Sequence, residues 1–207
     1  MPVLPMFPLG SVVVPGMLVP LHVFEARYRR LVADCLAGDG TFGTVLIERG
    51  SEVGGGDIRT HVGTSVRIVR ADQLDDGRWA LAAVGMHRLR VTAWLPDDPY
   101  PRAEVEAWPD EEPAAGDTAG PALAEVAALL RRAAALLAEL GEPAPPLDVE
   151  LADDPGVAGF QAAALAPLGP VDRQALLSAP SSPARLALLR SLLADPIEVL
   201  TARLAAG

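Results

Sequence analysis

Residues 4–32 read LPMFPLGSVVVPGMLVPLHVFEARYRRLV. Two apolar runs, 12–14 and 18–23, stand between Pro8, Pro15, Gly16 and Pro20 and are expected to be strands. They lead into Phe24, Tyr28, Leu31, Val32 and Cys35, which recur at helical spacing and define one apolar face. Glu25, Arg29 and Arg30 fall on the other side, with Glu25 and Arg29 spaced for an i,i+4 ion pair. Gly38 and Gly40 are expected to end the helix. No catalytic signature lies in this stretch, which reads as the piece that closes a small β-rich core.

Working outward, residues 41–48 form a continuous apolar strand, and residues 50–57 a glycine-rich surface loop. Residues 61–95 are the clearest β stretch, folded back at Asp75-Asp76-Gly77, with a bend at Gly85. Beyond Gly85, Leu89, Val91, Ala93 and Leu95 alternate with Arg88, Arg90, Thr92 and Trp94, predicting arginines on the outward face. Residues 100–108 supply one more strand.

At 110–120 the composition shifts to an acidic, Pro/Gly-rich segment, read as a solvated linker. After it, Ala and Leu replace β-branched residues, as in helices. Helix starts are expected near Pro121, at Asp154-Pro155, near Val171, at Ser182-Pro183 and at Asp195-Pro196, giving about five helical pieces. The expected organisation is therefore a β-rich region over 1–109, a linker over 110–120 and a helical bundle over 121–207.

Composition narrows the chemistry. All 17 basic residues are arginine, and asparagine is also missing from the chain. Without lysine there is no Walker-type phosphate loop, no Ser–Lys dyad and no Schiff-base lysine. A net charge of −10 argues against generic nucleic-acid binding. The apolar runs are too short for a membrane span, no basic leader opens the chain, and there is one cysteine; a cytoplasmic protein is the plain expectation.

Candidate catalytic groups are sparse. Cys35 lies on the apolar helix face, which predicts an inert thiol. His22, His61 and His87 are scattered, and no Gly-x-Ser-x-Gly elbow exists. His22 and Glu25 have a ligand-like spacing, but a zinc site normally needs three or four convergent ligands. The acidic pairs Asp97-Asp98 and Asp153-Asp154 read as a turn and a helix cap. No metal and no cofactor are expected. Arg67, Arg70, Arg88 and Arg90 are expected near one another on an outward sheet face. Balanced by Asp72, Asp75 and Asp76 they form a solvated face. The sharper alternative is a docking patch, with Arg67, Arg88 and Arg90 as candidate peptide-binding residues.

The opening pattern, Leu4-Pro5-Met6-Phe7-Pro8-Leu9, then Pro15-Gly16, then Pro20-Leu21 and Phe24-Glu25-Ala26-Arg27-Tyr28, resembles the start of the N-terminal, substrate-recognition domain of Lon proteases, especially its stand-alone relatives. Phe42-Gly43, Val62-Gly63-Thr64, Asp76-Gly77-Arg78, Gly85 with Arg88, and residues 102–105 extend the resemblance. In the helical half Gln174, Leu176-Leu177 and Arg185-Leu186 match more weakly.

The resemblance implies an α+β fold: a PUA-like pseudo-barrel followed by a helical bundle. It implies a non-catalytic module that binds polypeptide, an adaptor or sensor in protein quality control. The ATPase and Ser–Lys protease modules of full-length Lon need lysines this chain lacks. Cereblon-type proteins use a related domain as a protein–protein platform. Two alternatives stay open: an RNA- or nucleotide-binding PUA-like protein, and an enzyme of unrecognised type. Within the family motif, Pro15, Gly16, Phe24, Glu25, Arg27 and Tyr28 are expected to be structural. Pro15-Gly16 sets a turn, Phe24 and Tyr28 pack, and Glu25 with Arg27 locks the helix to a strand. A peptide groove is expected between the two halves.

Overall fold

The computed structural model describes residues 2–50, 56–112 and 119–206. The glycine-rich loop reading for 51–55 and the linker reading for 113–118 lie outside the described residues. The chain divides into two compact units, Met1–Pro109 and Asp110–Gly207.

In the first unit one long strand organises the rest. β5 (Trp79–Leu95) has 17 residues, enough to serve several neighbours. β4 (Ile58–Gln73) runs antiparallel to it, joined by a turn at Gly77, whose φ of 80° favours glycine. The first half of β5 pairs with β2 (Leu18–Val23) and the second half with β6 (Arg102–Ala107). β3 (Thr41–Arg49) pairs with β4, and β1 (Val3–Leu9) lies parallel to β3. The order is β2-β5-β4-β3-β1-β6, and the extra β5–β6 pairing closes five strands into a ring with β2 as an open edge.

β1 was hidden from sequence reading by Pro5 and Pro8. The structure shows how they are tolerated: residues 3–5 pair only with β6 and residues 6–9 only with β3. Each proline therefore has one ladder partner and can turn its donor-less nitrogen to the other side. The expected strand at 12–14 is instead irregular backbone, although Val12, Val13 and Val14 are all buried.

Two apolar clusters hold the unit. Met6, Val45, Leu89, Val91, Ala103 and Val105 form one, and Gly43 makes room for it, since a Cβ there would stand 2.5 Å from the Met6 sulfur. The other gathers Phe7, Val23, Phe42, Val66 and Leu81 beneath α1 (Ala26–Ala37), which contributes Tyr28, Leu31, Val32 and Cys35. Burial pushes the Cys35 thiol up to about 12, consistent with an inert group.

The second unit holds α2 (Ala119–Glu139), α3 (Pro155–Leu165), α4 (Pro170–Leu177) and α5 (Ser182–Ala206). The described fold is thus mixed α+β, with a six-stranded sheet and five helices. Asp154 caps α3 by accepting from the Val157 amide at 2.8 Å, as its place before Pro155 predicts. Val126, Leu130, Ala133 and Leu137 of α2 are buried, as are Leu186, Leu189, Leu193, Ile197 and Leu200 of α5.

Two expectations need correction here. Pro196 does not start a new helix: it lies inside α5, whose apolar stripe runs on through it from Leu193 to Ile197 and Leu200. Continuous burial of that stripe outweighs the hydrogen bond that a mid-helix proline removes. Nor is Asp110 part of a solvated tether. Its carboxylate takes a bidentate bond from Arg185 at 2.9 and 2.5 Å, and the Glu111 amide donates to the Pro180 carbonyl at 2.9 Å.

Candidate functional site

The opening stretch builds a concave face on the first unit. Its volume is about 280 Å³, and it is lined by Phe7, Leu9, Ser11, residues 19–25 and Tyr28. The end of β1, the strand β2 and the first turn of α1 thus share one hollow.

Local chemistry explains its shape. Val14, Pro15, Gly16 and Met17 form a β-turn closed by the Met17 amide on the Val14 carbonyl, at 3.1 Å. Pro15 suits its second position and Gly16, with φ 81°, its third. The turn rests on Gly85, where a Cβ would stand 2.3 Å from the Val14 carbonyl oxygen. The Gly16 amide donates to the Gly85 carbonyl at 2.8 Å, and Thr64 Oγ1 donates to the Val13 carbonyl at 2.6 Å. Pro15 and Gly16 therefore do what the sequence predicts.

On the helical side, Phe7 and Tyr28 stack with ring centroids 4.1 Å apart and planes 14° apart. The Arg27 guanidinium covers the Tyr28 ring at 4.5 Å and pairs with Glu25 at 3.1 Å. Burial is the main cause that pushes the Tyr28 hydroxyl up to about 12. Glu25 pairs with Arg27, not with Arg29, because Glu25 is the N-cap, with extended φ of −65° and ψ of 138°, and lies outside the helical repeat. The pair stiffens the helix start.

The same geometry corrects Phe24. The helix begins at Ala26, so Phe24 is not on the face that carries Tyr28. It is 55% exposed and stands on the rim of the hollow. Leu18, at the start of β2, is 60% exposed. His22 and Glu25 both line the hollow, but no group of three or more metal-ligating side chains occurs among the described residues.

The arginines proposed as a peptide patch do not form one. Arg88 is only 3% exposed, against the outward placement expected. It lies opposite Thr64 and places its guanidinium 4.3 Å from the Trp108 ring centroid. Arg90 is exposed, 4.5 Å from the same ring, and faces Glu106 across the strand pair. Arg67, three residues from Thr64 along β4, projects from the opposite sheet face by strand alternation. Strand alternation puts Arg88 and Arg90 on one face, and both guanidinium groups lie against Trp108, but only Arg88 is buried there. Arg70 pairs with Asp72 at 2.7 Å, as the solvated-face reading has it.

Sequence reasoning did not place Phe7, Leu9, Val19, Leu21 and Val23 in a binding wall. Their alternation along β1 and β2 marks buried positions. It carries no sign that the β2 edge stays open.

The fold is a six-stranded β-rich unit followed in the chain by a helical unit. The sequence profile of the ATP-dependent protease La (LON) substrate-binding domain matches residues 3–195, and the chain belongs to that family. It is 30% identical over 201 residues to Lon protease 2 of Myxococcus xanthus, covering 96% of this chain and 24% of that protein. Lon protease of Anaeromyxobacter dehalogenans is 31% identical over 202 residues, with the same 96% and 24% coverage. The chain thus spans about a quarter of the curated relatives it matches.

Among solved structures, a Lon N-terminal domain protein from Xanthomonas campestris is similar with a TM-score of 0.67 and 31% identity, over 92% of this chain and 98% of that one. The N-terminal domain of Mycobacterium avium complex Lon protease shares the fold alone, with a TM-score of 0.65 and 17% identity over 94% and 99% of the two chains. The matched domain is the non-catalytic, substrate-binding part of these proteases. No described helix is long and apolar enough to cross a membrane.

Proposed function

We propose that this chain recognises exposed apolar segments of other polypeptides through the hollow on its first unit, acting as an adaptor or sensor in protein quality control. The observation that carries the reading is the hollow itself, which gathers Phe7, Leu9, Val19, Leu21, Val23 and Tyr28 and carries the exposed Phe24 ring on its rim. Membership of a substrate-binding family supports the choice of polypeptide as ligand. The closed ring of five strands reads as a PUA-like pseudo-barrel, and the four helices of the second unit as a bundle. Arg67, Arg88 and Arg90 play no part in this reading.

The test is an anisotropy titration of a fluorescent, reduced and alkylated protein that cannot refold. The wild-type chain binds it saturably, and Phe24→Ala weakens binding by about tenfold, the 1.4 kcal/mol of one well-placed contact. A wild-type chain that leaves the anisotropy flat overturns the proposal.

A further inference from the structure

The open edge of β2 runs beside the hollow, and its backbone phase can be read. β2 has a single strand neighbour, β5. The Gly85 amide donates to the Met17 carbonyl at 2.9 Å, one step before Leu18 meets Val84. Antiparallel ladders alternate bonded and non-bonded pairs. Val19, Leu21 and Val23 therefore bond to β5, while Leu18, Pro20 and His22 turn their main-chain groups outward. Pro20 stands at the centre of that outward row and has no N–H. An added strand would find donors only at Leu18 and His22, and its carbonyl opposite Pro20 would stay unpaired.

The hollow, by contrast, gathers the apolar residues Phe7, Leu9, Val19, Leu21, Val23 and Tyr28, with the exposed Phe24 ring at its rim and Ser11, His22 and Glu25 adding polar groups. At about 280 Å³ the space lies near the lower limit for ligand pockets, which suits one bulky group rather than a run of residues.

Building on the peptide-binding reading above, we propose that the site captures polypeptide by inserting one bulky apolar side chain, and not by adding a strand to β2. The bound segment then need not be extended, and its amides contribute little.

Competition against the unfolded fluorescent protein tests this. The probes are peptides of about a dozen residues, Gly and Ser around one central Phe, with and without backbone N-methylation on alternate residues. The two forms compete within about twofold of each other, and replacing Phe by Ser costs about tenfold or more. A tenfold loss on N-methylation overturns the side-chain mode and leaves peptide binding standing. Failure of every Phe peptide to compete while the unfolded protein binds overturns single-residue capture. Failure of the unfolded protein itself to bind removes the underlying reading as well.

Discussion

Arg185 grips Asp110 with two hydrogen bonds while its guanidinium lies 3.7 Å from the Phe160 ring centroid and its Nε donates to the Leu176 carbonyl. The Arg185 side chain is wholly buried, and that of Asp110 is 23% exposed. An arginine sunk this deeply is held by its carboxylate, so removing the carboxylate leaves an uncompensated charge. Asp110→Ala is expected to cost about 3 kcal/mol, read as a lower urea midpoint. An unchanged midpoint would show that the pair is ornamental.

Gly85 and Gly120 predict different outcomes for the same change. A Cβ at Gly85 would meet the Val14 carbonyl oxygen, a backbone atom in a fixed turn, so Gly85→Ala is destabilising by roughly 2 kcal/mol or more. A Cβ at Gly120 meets no other group, but the residue lies in the first turn of α2 directly before Pro121, whose ring disfavours a helical non-glycine neighbour, so Gly120→Ala changes stability by less than about 0.5 kcal/mol. Thermal unfolding of the two variants compares them directly.

Acid sensitivity is expected around Asp57. Burial alone would raise its carboxyl value, but hydrogen bonds from Arg59, at 2.6 and 3.1 Å, and the charges of Arg59 and Arg27 hold it below 3.8. The unfolded chain therefore takes up this proton first. The contribution is complete at neutral pH and is lost as pH falls below about 3.8, through the depressed folded value. Asp57→Asn should flatten that part of the stability profile, measured by denaturant titration at a series of pH values. An unaltered slope would assign the acid response to other carboxylates.

Phe24→Ala should leave folding stability within about 0.5 kcal/mol of wild type, since the ring is mostly in water. Tyr28→Ala, by contrast, removes a buried ring stacked on Phe7 and should cost about 3–5 kcal/mol. Chemical denaturation of both variants separates the rim from the floor.

Much of the fold was legible because periodicity and turn chemistry agreed. The hairpin at Gly77, the Pro15-Gly16 turn, the Asp154 cap and the buried face from Tyr28 to Cys35 all follow from residue types at fixed spacing. What failed was decided by tertiary contact. Pro5 and Pro8 masked a strand that pairs with different neighbours at its two ends. Pro196 looked like a helix start, but the buried stripe of α5 runs through it. Asp110 looked like tether until Arg185, 75 residues away, was seen to hold it. Arg88, expected outward by alternation, is buried, opposite the fully buried Thr64. The site was legible only as a motif: the family pattern marked Phe24 and Glu25. Only the onset of helix at Ala26 moves Phe24 from core to rim.

Hydrogen exchange of the chain, alone and saturated with an unfolded polypeptide, tests the central claim most directly. The account predicts new protection over residues 18–28, around the rim and floor of the hollow, with the helices of the second unit unchanged. Protection confined to residues elsewhere, with 18–28 exchanging as before, would contradict it.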